Sequence, residues 1–186
     1  MICTEMSKIY TYKDFDPKQS HEYLIDNSVL LFLFAPIGNY NSRQQSQISK
    51  FISNAKSVGA GLHTTSLVIS EFHNKVLKDF FDEFKRIPAN SGKISLKKDY
   101  RPSENYKADI SALTSQIKAI LKIFNRFPDD FNQINMDLIM ENTNYVDYND
   151  AYFIELANRK NWIIVTRDRD IIESKMRTTP VLSFLD

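Results

Sequence analysis

Apolar residues along this chain follow two alternating rhythms. Short continuous runs, Tyr23-Leu-Ile-Asp26, Leu62-His-Thr-Thr65, Trp162-Ile-Ile-Val-Thr166 and Pro180-Val-Leu-Ser-Phe-Leu185, stop at polar or acidic residues and predict buried strands. Between them, apolar positions recur at three- and four-residue spacing and predict helices. Ile48, Phe51, Ile52 and Ala55 form one such set, ended by Gly59 to Gly61. A longer stripe, Leu67, Val68, Phe72, Val76, Phe80, Phe81 and Phe84, predicts a helix from about Ser66 to Arg86, with Thr64-Thr65-Ser66 as capping residues at its start. Ile110, Leu113, Ile117, Ile120, Leu121 and Phe124 mark another, halted by Pro128, and Asn149 to Lys160 a last one. Val29-Leu-Leu-Phe-Leu-Phe34 is apolar throughout and is stopped by Pro36 and Gly38; Ile134 to Ile139 is read as a further strand. Helices that alternate with strands imply an α/β fold: a central, mainly parallel sheet flanked by helices on both faces.

Two segments break the rhythm. Residues 1–21 are polar without a sustained period and read as an N-terminal arm; residues 22–186 then form one domain. Within it, Pro88 to Pro102 is rich in Pro, Gly, Ser, Asn and Lys, so residues 87–104 read as an exposed loop. With 186 residues, 42% of them hydrophobic and 12% aromatic, the chain suffices for a single real core. The longest apolar stretch, Val29 to Pro36, falls far short of the roughly 20 residues that span a bilayer, so a soluble cytoplasmic protein is expected. Cys3 is the one cysteine, which excludes an internal disulfide or a thiolate cage and fits a reducing compartment.

The candidate chemistry is carried by carboxylates at element boundaries. Asp26 interrupts an apolar run, and a buried carboxylate costs several kcal/mol unless it is neutralised or binds a cation; a turn-forming role in Asp26-Asn27-Ser28 is the plainer alternative. Glu71 lies at the border of the long apolar stripe, where a surface pair with Lys75 is the ordinary reading. Asp147 and Asp150 open a helix, and Asp168 and Asp170 follow the Trp162 strand, so a cap or first-turn acid is the plainer alternative for each of them. Ser28 and Thr166 stand within two residues of an acid and are candidate supports, the Thr166 hydroxyl sharing a face with Asp168. A parallel sheet brings the C-terminal ends of its strands to one edge, and acids crowded there repel each other unless divalent cations sit among them. Oxygen-only donors select Mg²⁺ or Mn²⁺, one ion or two, and His21, His63 and His73 show no ligand spacing.

The net charge of +1 excludes a globally basic nucleic-acid binder, yet Lys75 to Lys107 holds nine Lys/Arg against five Asp/Glu, a local net of +4. Lys97, Lys98 and Arg101, with Tyr100 and Tyr106 interleaved, could hold phosphates and stack bases, or could equally form a solvated face.

These motifs, taken in order, resemble the PIN-domain family, the fold of many metal-dependent ribonucleases including VapC-type toxins. Leu24-Ile-Asp26-Asn-Ser-Val-Leu30 is similar to its first motif, and Thr65-Ser-Leu-Val-Ile-Ser-Glu71 to the helix that carries its Glu. Tyr148-Asn-Asp150-Ala-Tyr-Phe-Ile-Glu-Leu-Ala157 is similar to its third motif and Trp162-Ile-Ile-Val-Thr-Arg-Asp168-Arg-Asp170-Ile171 to its fourth, the tandem being more specific than the first two. The resemblance implies catalytic Asp26, Glu71, Asp150 and Asp168, metal ligands drawn from Asp26, Asp150 and Asp168 with Asp147 and Asp170 as alternates, and Mg²⁺- or Mn²⁺-dependent hydrolysis of RNA. For toxin members it further implies a homodimer and a small antitoxin. The arm and the 87–104 loop lengthen this chain beyond compact members. A structure-specific DNA nuclease shares the same chemistry, and a non-catalytic PIN-like binding module would keep the fold and lose acids. A phosphoacceptor domain would need a lysine after a late strand, and Val181 to Leu185 supplies none.

Overall fold

The computed structural model describes residues 8–13, 15–35, 42–90, 92 and 94–185. Six strands, β1 (Ile9–Thr11), β2 (Glu22–Ile25), β3 (Gly61–Thr65), β4 (Asn125–Phe127), β5 (Ile163–Thr166) and β6 (Val181–Ser183), form one sheet in the order β1-β6-β5-β2-β3-β4. Every pairing is parallel, with Ile25 opposite Val165, Tyr23 opposite Leu62 and Ile164 opposite Val181. Among the described residues, seven α-helices connect them: α1 (Asn27–Phe34), α2 (Ser42–Ser57), α3 (Ser66–Arg86), α4 (Glu104–Ile123), α5 (Met136–Asn142), α6 (Tyr148–Lys160) and α7 (Arg169–Glu173). The chain moves from β2 through β3 to β4 in one direction across the sheet, and from β4 to β5 and β6 in the other. Parallel crossovers are right-handed, so α1 to α4 cover one face and α5 to α7 the other.

The central strands are continuous apolar runs because both of their faces are covered. Tyr23, Leu24, Ile25, Ile164 and Val165 are fully buried, as are Phe72 of α3 and Ile154 and Ala157 of α6. Burying each large apolar side chain is worth about 1.5–3 kcal/mol, so this cluster fixes the register of β2 against β5. Asn161, in left-handed conformation at φ 53°, caps α6 and turns the chain directly into β5.

Five sequence expectations change, the last two of them after α4. The N-terminal arm contributes β1, an edge strand on β6, and Tyr12 beside it stacks on Phe184 at 5.4 Å. Three residues with a half-exposed Ile9 carry too little periodicity to be read as a strand. Cys3 lies outside the described residues, as do Pro36 and Gly38; the helix over the apolar run ends at Phe34, where the Ala35 N–H reaches the Leu31 carbonyl. The loop is partly ordered into turns at Pro88–Asn90 and Leu96–Tyr100, and Tyr100 is fully buried. Its ring lies 5.4 Å from Phe81 and 5.0 Å from Phe84, and its hydroxyl donates to Asp109 at 2.6 Å, so it is unavailable for stacking bases.

The fourth change follows α4. That helix ends at Ile123, and Asn125–Phe127 then adds the edge strand β4 before Pro128 is reached. Ile134 to Ile139, expected as a strand, instead contains the start of α5. The Asn135 side chain accepts from the N–H groups of Asp137 and Leu138, and Ile139 and Asn142 are the buried positions of the helix, an i, i+3 spacing. Leu138 and Met140 of this helix are exposed.

Candidate active site

β2 and β5 are neighbours whose following connections leave in opposite directions, which opens a crevice at their carboxyl ends. Asp26 follows β2 and Asp168 follows β5, so the sheet topology alone brings two acids from distant parts of the chain together. Two helices supply the rest. Glu71 sits in the second turn of α3, and Asp147 and Asp150 occupy the start of α6. The resulting cleft, about 400 Å³, is lined by Asp26, Glu71, Asp147, Asp150 and Asp168 with Asn27, and by Asn74, Lys75 and Lys78 along α3.

Capping and clustering prove compatible. Asp26 is the N-cap of α1, Asp147 that of α6 and Asp168 that of α7, accepting from the N–H groups of Ser28, Asp150 and Asp170 respectively. Each cap fixes its carboxylate at a helix N-terminus, where partial positive charge favours an anion. Asp26 is nearly fully buried and is also held by the hydroxyls of Ser28 and Thr166, the latter at 2.6 Å. Thr166 Oγ1 in turn accepts the Asp168 N–H at 2.8 Å, and Ser28 Oγ accepts the Arg167 N–H at 3.0 Å. Ser28 and Thr166 therefore stitch the β2 end to the β5 end.

Burial raises the Asp26 carboxyl above the usual range; the Ser28 and Thr166 hydrogen bonds oppose that shift and the Asp168 charge adds to it. Glu71 is raised by burial too, against donation from the Asn27 amide at 2.9 Å and from Asn149. Asp150 is pushed up to about 8, by burial first and then by the charges of Asp147, Asp26, Asp168 and Glu71. The surface pair of Glu71 with Lys75 does not form: Lys75 bonds Asp79 at 2.5 Å, and Glu71 turns to Asn27.

Asp170 is exposed and lines a separate pocket with Glu141, Tyr145 and Glu173, so it is not brought to the other acids. Lys97, Lys98 and Arg101 are exposed and absent from the cleft lining. Their turn packs on the far end of α3 near Phe81, ten residues and roughly 15 Å of helix from Glu71. The cations that do line the cleft are Lys75 and Lys78, which share a helical face with Glu71 through i+4 and i+7 spacing, a signal present in the sequence. Asn27 was legible only as a turn residue. Its amide reaches Glu71, and its Oδ1 is buried without a hydrogen-bond partner.

The donor set suits a hard divalent cation: carboxylate oxygens, one unpartnered amide oxygen and, among the described residues that line the cleft, no imidazole or thiolate. Among the described residues, no three acids stand in coordination geometry in their present rotamers.

In open α/β sheets, ligands bind outside the carboxyl ends of the strands at such a switch point. The PIN domain family model matches residues 23–175, and the chain belongs to that family. Among solved structures it is similar to VapBC2 from Rickettsia felis, bound to a DNA fragment from their promoter, at TM-score 0.53 and 12% identity over 86% of this chain and 97% of that one. It is likewise similar to FitAcB from Neisseria gonorrhoeae, at TM-score 0.53 and 12% identity over 87% and 97%. At such identities the likeness concerns the fold. No curated protein sequence matches the chain. No helix among the described residues is long and apolar enough to cross a membrane.

Proposed function

We propose that this chain is a Mg²⁺- or Mn²⁺-dependent endoribonuclease, the toxin of a type II toxin–antitoxin pair. The observation that carries the reading is the convergence of Asp26, Glu71, Asp147, Asp150 and Asp168 on one cleft at the β2/β5 switch point. Asp26, Asp150 and Asp168 would hold the metal, with Asp147 as alternate. When bound, the metal lowers the pKa of water and polarises the scissile phosphate. Ser28 and Thr166 orient Asp26, and Asn27 orients Glu71, which holds the attacking water or adds a ligand. Lys75 and Lys78 bring positive charge to the rim, where the phosphates of the strand would lie. The antitoxin and a homodimer come with the toxin reading, which the fold shared with VapBC2 and FitAcB supports.

The test is incubation of purified protein with end-labelled RNA in Mn²⁺, Mg²⁺ or EDTA, beside DNA of the same sequence. Cleavage of RNA with either metal, none in EDTA, and loss of cleavage in Asp26→Asn, Asp150→Asn and Asp168→Asn with unchanged circular dichroism are expected. Near wild-type rates in two of these three variants would refute the site, and preferential cleavage of DNA would replace the substrate.

A further inference from the structure

The acid cleft has an aromatic neighbour. A pocket of about 420 Å³ is lined by Leu67 and Ser70 of α3, Tyr148 and Tyr152 of α6, and Phe131 and Asp129 of the turn before α5. It is lined from the same two helices as the cleft and from successive positions on them: Ser70 precedes Glu71, and Tyr148 follows Asp147. One wall is firmly anchored: Tyr152 is buried and its hydroxyl donates to the Asp129 carbonyl at 2.8 Å. The ring of Tyr148, 39% exposed, lies 6.1 Å from that of Tyr152.

Phe131 is 67% exposed, yet the turn that presents it is pinned. Asp130 adopts φ 53°, its carboxylate pairs with Lys160 at 2.5 Å, and its carbonyl accepts from the N–H groups of Gln133 and the buried Ile134. A lone exposed Phe is ordinary, but a Phe held out on a fixed turn in the same pocket as an exposed Tyr, on the helices that also line the acid cleft, is not. The one acid in the pocket is already engaged, accepting from the Ser66 hydroxyl and the Leu67 N–H. What the pocket offers a ligand is aromatic side chains, with Ser70 also in its lining.

We propose that this pocket takes an unpaired nucleobase of the strand whose phosphate enters the acid cleft, stacked on Phe131 and Tyr148. The proposal rests on the reading of that cleft as a phosphodiester site. A base within a duplex has its faces stacked and its edge paired, so the pocket would demand single-stranded or splayed substrate. Stacking on a ring face suits any base, so the preference would be for strandedness before sequence.

The experiment measures equilibrium binding, with Ca²⁺ in place of Mn²⁺, to three fluorescent probes: a short single-stranded RNA, the same ribose-phosphate chain without bases, and the duplex. Wild type should prefer the single strand, and Phe131→Ala/Tyr148→Ala should lose about tenfold or more of that affinity. Binding of the base-free chain should not change, and Phe131→Tyr should retain the preference. Because both rings are exposed, circular dichroism of the double variant should match wild type. The proposal is overturned if wild type binds the three probes alike or none of them, or if the double variant loses affinity for the base-free chain equally. It is also overturned if sedimentation shows a wild-type dimer that the double variant splits while RNA affinity stays the same, since the rings would then belong to a contact between copies. Base-dependent binding without any cleavage in Mn²⁺ would sink the nuclease reading and leave the pocket standing.

Discussion

The Thr166 hydroxyl donates to Asp26 Oδ2 at 2.6 Å across 140 positions of sequence, and Thr166 Oγ1 itself accepts the Asp168 N–H at 2.8 Å. One buried side chain thus ties the acid after β2 to the acid after β5. Thr166→Val keeps the shape and removes both bonds. A hydrogen bond to a charged group is worth about 1.5–3 kcal/mol and the orphaned amide adds to the loss, so destabilisation of about 2–4 kcal/mol is expected. Urea titrations should show it, with Thr166→Ser recovering most of the difference. Equal midpoints for Thr166→Val and wild type would mean that the hydroxyl is not the link between the strands.

The acid cleft also sets a pH dependence. Asp150 is held at about 8 in the folded, metal-free protein, against a value near 4 for an unfolded Asp, which is a raised folded-state pKa. Below the unfolded value both states are protonated and the group costs nothing. As pH rises from about 4 to 8, the unfolded chain releases its proton first and stability falls; above 8 the loss is complete. Denaturation midpoints in EDTA should therefore decline between pH 5 and pH 8, and Asp150→Asn should flatten the decline. A midpoint that climbs over that window in wild type would contradict the arrangement of charges.

The position of the cations predicts which of them matter. Lys75 and Lys78 line the cleft, whereas the turn that carries Lys97, Lys98 and Arg101 packs on the far end of α3 near Phe81. Removing one cation that neutralises a phosphate of a single strand lowers the logarithmic salt slope by about 0.7, so Lys75→Gln/Lys78→Gln should reduce it by roughly 1.4. Neutralising Lys97, Lys98 and Arg101 together, in the same titration, tests the basic stretch that the sequence singles out. If the triple variant moves the slope and the double variant does not, the strand runs over the turn at residues 96–101 instead of along α3.

Legibility followed how much of an element's surface is buried. β5 could be read because both its faces are covered, which leaves a continuous β-branched run ending in an acid. The stripe of α3 was readable from end to end, since one face of a long helix packs and the other does not. β1 and β4 are three-residue edge strands whose pairing depends on a neighbour distant in sequence, and so carry no local pattern. Within the site, Asp26, Glu71, Asp150 and Asp168 stood at boundaries that sequence could locate. Asn27 could not be assigned, because its role is a contact with Glu71, 44 positions away. Asp170 and Tyr100 misled for the opposite reason: each stands in a suggestive string, and only packing decides that one faces away from the cleft and the other into the core.

A metal can be tested without knowing the substrate. Five carboxylates line one cleft, and burial and mutual repulsion raise Asp26, Glu71 and Asp150. A cation bound only by the folded state adds RT ln(1 + [L]/Kd), about 2.7 kcal/mol at a hundredfold excess over Kd. For a domain of this size that is a rise in Tm of roughly 5–10 °C. Thermal melts at pH 7.5 should thus separate between EDTA and millimolar Mn²⁺ for wild type and coincide for Asp26→Asn/Asp168→Asn. In EDTA alone the double variant should melt above wild type, because two of the repelling charges are gone while Thr166 and Ser28 still find an amide oxygen at position 26. Wild-type curves that superimpose with and without Mn²⁺ would show that these acids do not share an ion. A double variant that melts below wild type in EDTA would show that their hydrogen bonds outweigh their repulsion.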